Sequence, residues 1–118
     1  MAGRQEIVDA LADYAARCNE NAKLRAMLRG WSRVVHFQAT DTGDRFTMRV
    51  ADGAIVETSA EAGELADLVV VATSEDLCDL FWGDLNPAQK YMNGEIVVQG
   101  AAADVMRIDA MASLIWAD

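Results

Sequence analysis

Residues 45–50 alternate strictly, with Phe46, Met48 and Val50 apolar and Arg45, Thr47 and Arg49 polar. A period of two predicts a strand with one face on a core and the other toward water. Residues 31–39 alternate as well, setting Val35 and Phe37 against Val34 and His36, and the turn Asp41-Thr42-Gly43-Asp44 joins the two runs. Asp52-Gly53 is a two-residue hairpin signal into a third strand over residues 54–58. Together these runs predict an antiparallel meander. Ahead of it, Ile7, Leu11, Tyr14, Ala15 and Cys18 recur at helical spacing over residues 5–18. A second helix over residues 21–29 presents Leu24, Met27 and Leu28 and stops at Gly30.

Past a polar connection over residues 59–66, the pattern changes. Leu68 to Ala72 is an unbroken apolar run, which predicts a central strand buried on both faces. Thr73 or Ser74 caps the helix that follows, with Asp76 in its first turn complementing the dipole. Asn86 and Gln89 then frame a capping box around Pro87 at the first helical position, where the missing N–H has no partner to lose. Asn93-Gly94 supplies the left-handed exit into a strand over residues 95–99. After Gly100, the run Ala101-Ala102-Ala103 opens a last helix. The whole predicts an α+β fold, a mostly antiparallel sheet of about five strands covered on one face by helices.

Two of these helices are too apolar for a simple cover. One carries Leu77, Cys78, Leu80, Phe81 and Trp82; the last carries Val105, Met106, Ile108, Met111, Leu114, Ile115 and Trp116. A helix that is apolar around much of its girth is buried on several sides, exposes a patch, or lines a cavity. Phe81, Trp82, Met106, Met111 and Trp116 therefore need covering by a bound apolar molecule, a partner subunit or mutual packing. Six methionines suit adaptable apolar surfaces.

The stretch from Gly83 to Gly100 resembles the lipid-binding domain of the sterol carrier protein type-two family. The likeness is carried by Gly83, Leu85, Pro87, Tyr91, Gly94, Ile96, Val98 and Gly100, preceded by the apolar-then-acidic run from Asp67 to Leu80, and extends over residues 19–118. It implies a single domain over residues 1–118, the helix of residues 1–18 matching least, with an apolar tunnel or cavity between sheet and helices. It also implies binding, and transfer, of a fatty acid, acyl chain or sterol-like molecule without catalysis. The implied ligand walls are Leu80, Phe81, Leu85, Tyr91, Met92, Val105, Met106, Ile108 and Met111, with Phe46 and Met48 as a sheet-side floor. Gly83, Pro87, Gly94 and Gly100 would set shape rather than touch ligand. Ala101 stands where family members often carry an acid. The other reading keeps the fold, collapses the cavity and buries the apolar excess in a homodimer or another protein interface.

Composition narrows the alternatives. A chain of 118 residues that is 53% apolar and 25% charged builds one core. No apolar run approaches the ~20 residues needed to span a bilayer, so stable membrane insertion is not expected. Residues 1–13 lack a signal-peptide core, the last three residues are no peroxisomal address, and Cys18 and Cys78 read as separate reduced thiols, which together predict a cytoplasmic protein. The formal charge of −9, with no Lys/Arg cluster, argues against nucleic acid and against docking to phosphate-rich partners. No cofactor or metal is expected. His36 is alone in mid-strand, no Gly-x-Ser-x-Gly or glycine-rich phosphate loop is present, and Asp41 to Asp44 is too short for a calcium loop. His36 reads as a partly exposed strand residue and Cys78 as small core filler.

Overall fold

The helical stripes fold into α1 (Arg4–Glu20) and α2 (Ala22–Met27), and the alternating runs into β1 (Arg33–Ala39), β2 (Arg45–Ala51) and β3 (Ala54–Ser59). The continuous apolar run becomes β4 (Leu68–Ala72), followed by α3 (Ser74–Trp82), α4 (Pro87–Met92), β5 (Val97–Gln99) and α5 (Ala102–Leu114). These elements are seen in a computed structural model that describes residues 2–61, 63 and 65–114. Ile115 and Trp116, which the apolar pattern assigned to the last helix, lie outside the described residues.

The five strands form one sheet in the order β3-β2-β1-β4-β5. Phe37 sits opposite Phe46 and Val35 opposite Met48, so the apolar sets of β1 and β2 share a face. The same face continues through β4, where Val35 pairs with Leu68 and Phe37 with Val70, and into β5, where Val70 pairs with Val98. β1 and β4 run parallel and the other pairings antiparallel, so the sheet is mixed at one seam. That seam follows from the route of the chain. After β3 it must pass β2 and β1 to reach the far side of β1, and a pass of that kind returns it in the parallel sense.

The route also corrects the water-facing side of the sheet. Thr47 donates from Oγ1 to the Glu61 carbonyl, setting Glu61 against the face opposite the helices. Thr47 and its cross-strand neighbour His36 are buried rather than solvent-facing. Val69 and Val71 point to that same side and are only half-buried, so β4 is an interior strand with one partly open face.

Local caps fix the helices that matter for the site. Thr73 Oγ1 accepts from the Asp76 N–H at 3.2 Å, selecting Thr73 over Ser74 as the cap of α3. Ser74 instead donates from N and Oγ to the Asp41 carboxylate, each at 2.8 Å, pinning the start of α3 to the β1–β2 turn. Those bonds, backbone first, lower the Asp41 pKa. Asn86 Oδ1 accepts from the Gln89 N–H at 3.3 Å, with Pro87 in the first turn of α4. Gly83 and Gly94 take left-handed φ angles of +79° and +76° at the exits of α3 and α4. Strand β5 begins at Val97, two residues later than the pattern predicts, because the turn after α4 runs through Ile96. Gly100 serves close approach: a Cβ there would lie 2.5 Å from Leu68 Cδ2 and 3.2 Å from the Asp67 carbonyl.

Helix α5 is anchored at its first turn by Asp104, a buried carboxylate. It accepts from Trp31 Nε1 at 2.8 Å and from Arg33 Nε at 3.0 Å. The Trp31 bond, ahead of Arg33, holds its pKa below the usual carboxylate value despite burial.

Candidate functional site

Between the apolar face of the sheet and the helices lies a cavity of about 360 Å³. The sheet supplies Phe37, Met48, Val70 and Val98. Helix α3 supplies Leu80 and Phe81, and α4 supplies Pro87, Ala88, Tyr91 and Met92. Helix α5 closes it with Val105, Met106, Ile108, Asp109, Met111 and Ala112, while Tyr14 of α1 and Ile96 complete the wall. The volume falls within the roughly 300–1,000 Å³ range of small-molecule pockets.

The reason a void forms here is visible in the packing. On the β1–β2 side, α1 packs against α3 and β3, and Phe46, Leu11, Leu24 and Leu28 are fully buried in the core. Phe81 marks the border, its ring 4.9 Å from Phe37 in a T-shaped contact and 5.5 Å from Tyr14. Toward β5 the cover changes to α4, a helix of six residues with none buried, and to α5. Short and shallowly seated, α4 does not fill the space above Val70 and Val98.

Nine residues singled out as walls or floor border this space: Met48, Leu80, Phe81, Tyr91, Met92, Val105, Met106, Ile108 and Met111. Phe46 does not. It is fully buried opposite Phe37, where the core is already packed. Leu85 also lies outside the lining, half-buried against the core in the turn between α3 and α4. Pro87, expected to shape only the backbone, lines the wall. Phe81 and Met111 are covered by the protein itself, whereas Trp82 is 40% and Met106 73% exposed. Tyr14, Phe37 and Val70 read in the sequence only as ordinary members of helix and strand stripes, and Val98 only as a strand position of the family pattern. Their part in the cavity depends on which element stands above them.

The wall is chemically inert for the most part. Burial, followed by the Cys18 thiol, raises the Tyr14 pKa well above its ordinary value, so the phenol stays neutral. Burial pushes Cys18 up to about 12, and burial followed by Glu6 raises Cys78 as well. Both thiols are free and buried. Asp109, exposed on α5, is the ionisable carboxylate of the lining. The corner between α3 and α4 is acidic: burial, then Asp84, Glu75 and Asp76, raise the Asp79 pKa. Lys90 bridges that corner, with Nζ 3.4 Å from both Asp76 Oδ1 and Glu95 Oε1. No helix among the described residues is long and apolar enough to cross a membrane.

The sequence matches the profile of the SCP-2 sterol transfer family over residues 11–113. The chain belongs to this family. The match begins within α1, ahead of the segment on which the likeness rested, and ends within α5. No curated protein matches the sequence. Among solved structures, a crystal structure of sterol carrier protein 2 superposes with a TM-score of 0.68 at 15% identity, covering 91% of this chain and 93% of that one. A UbiJ-SCP2 ubiquinone synthesis protein gives 0.65 at 18% identity, covering 95% and 94%. Sterol carrier protein-2 of Aedes aegypti, in complex with the C16 fatty acid palmitate, gives 0.64 at 14% identity, covering 96% and 97%. At these identities the likeness is one of fold.

His36, the single histidine, lies on the opposite face of the sheet from this SCP-2 cavity. It is buried, not partly exposed, and its Nε2 has no hydrogen-bond partner among the described residues. Burial, with the Arg45 cation second, lowers its pKa from 6.5. The unfolded chain then binds a proton at a pH where the folded chain resists it, so stability falls as pH drops below 6.5. Urea unfolding at pH values on either side of 6.5 is expected to show this loss, and His36→Leu to remove it.

Proposed function

We propose that the protein binds the hydrocarbon part of one lipid or lipid-like molecule in this cavity, holding or transferring it without covalent chemistry. The observation that carries the reading is the apolar space of about 360 Å³ between the sheet and α3, α4 and α5. Burial of each methylene contributes about 0.8 kcal/mol without any directional partner. A chain of moderate length thus offsets the translational and rotational cost of binding. The palmitate held by the Aedes aegypti protein of the same fold supports a chain-shaped ligand. We take Met48, Leu80, Phe81, Tyr91, Met92, Val105, Met106, Ile108 and Met111 as the contacting residues. The chain acts as one lipid-binding domain, and its setting is the cytoplasm.

An open cavity favours this reading over a collapsed one serving as a dimer interface. Native mass spectrometry before and after organic extraction tests it. Protein purified gently should carry one extractable apolar molecule per chain, or take up one long-chain probe at a single site. A chain that stays empty against acyl chains, sterols and quinones while running as a tight dimer would contradict it.

A further inference from the structure

We propose that the polar end of the preferred ligand carries no negative charge, so that long-chain alcohols, amines and other non-anionic amphiphiles bind in preference to fatty-acid anions. This rests on the reading of the cavity as the lipid site. The ten Lys and Arg residues and the single His all fall among the described residues, and none lines the cavity. The basic residues of α4 and α5, the helices that cover the space above Val70 and Val98, are committed elsewhere. Lys90 Nζ lies between Asp76 and Glu95 at 3.4 Å from each. Arg107 donates to the Ala103 carbonyl and stacks over the Trp31 ring, 5.9 Å from its centroid. The wall's own charge is the carboxylate of Asp109, and the chain as a whole carries −9.

Either orientation of a bound acid is therefore unfavourable. With its head inside, a carboxylate meets an apolar wall and the neutral, deeply buried Tyr14, and an ion buried without a partner is strongly disfavoured. With its head at the surface beside Asp109, like charges repel in a partly screened medium. A hydroxyl tolerates both settings, and an ammonium gains from the second. The carboxylate of Asp109 thus acts as a filter on head-group charge, while chain burial supplies most of the affinity.

Competition binding on the full chain with dodecanol, dodecylamine and dodecanoate, below their micellar concentrations near neutral pH, tests the idea. Dodecanol and dodecylamine should each bind at least about fivefold more tightly than dodecanoate, with the amine's advantage shrinking as salt is raised. Asp109→Lys, a change at an exposed position, should raise the acid-to-amine affinity ratio by about tenfold or more, since one repulsion becomes an attraction and the reverse. Wild-type protein binding dodecanoate as tightly as dodecanol would overturn the proposal, as would an acid-to-amine ratio indifferent to Asp109→Lys. If none of the three compounds binds, the cavity reading fails and this inference with it, a result distinct from binding without selectivity.

Discussion

Val98→Trp is expected to lower the affinity for a long-chain ligand by at least tenfold while leaving the protein folded. Val98 sits on the edge strand β5, half-buried, with its side chain on the cavity wall beside Val70. An indole there grows into existing space instead of displacing packed neighbours, so the usual overpacking cost of roughly 1–3 kcal/mol is largely avoided. Aromatic residues are also well accepted in strands. The adjacent Val97 provides the control. It points to the other face and is 41% exposed, so Val97→Trp should leave uptake unchanged. Binding isotherms and thermal melts on the two variants check both halves of this expectation. A Val98→Trp protein that binds normally would place the ligand elsewhere.

Phe81→Ala is expected to be the most damaging single truncation in the site. Phe81 is fully buried and touches Phe37 and Tyr14 through ring contacts at 4.9 and 5.5 Å. Loss of such a ring costs about 3–5 kcal/mol, and here the vacated space merges with a void that already lacks filling atoms. For a domain of this size the melting temperature should fall by roughly 10–20 °C. Because the enlarged cavity still accepts hydrocarbon, saturating ligand should recover part of that loss by mass action. A melt in which ligand raises the wild type but not the variant would show that Phe81 acts on binding geometry, not only on packing.

Much of this was legible from residue order. The alternation in β2 fixed which side chains face the helices. The Asn86-Pro87-Gln89 cap, with the glycines at 83 and 94, set the bounds of α4 to within a residue. The apolar surplus of α3 and α5 pointed to the space they enclose. The failures have one physical cause. A stripe reveals that a residue faces inward, not what stands opposite it. Phe46 and Val98 occupy the same face of the sheet, yet α1 and its neighbours fill the core near one end while short α4 leaves it open near the other. Thr47 likewise reads as solvent-facing because nothing in a period of two reports that Glu61 lies against it, and His36, paired with Thr47 across the ladder, is buried with it. The proposed head-group preference depends on where ten cations do not sit, and only three-dimensional placement supplies that.

A finite apolar cavity between the sheet and α3, α4 and α5 holds the chain of the proposed ligand. A homologous series of straight-chain alcohols measured by competition tests it most directly. Affinity should rise about fourfold with each added methylene, the equivalent of about 0.8 kcal/mol, until the chain fills the cavity, and then level off sharply. An affinity indifferent to chain length, or one that climbs without a break, would show that the alcohols meet an open surface and not this cavity.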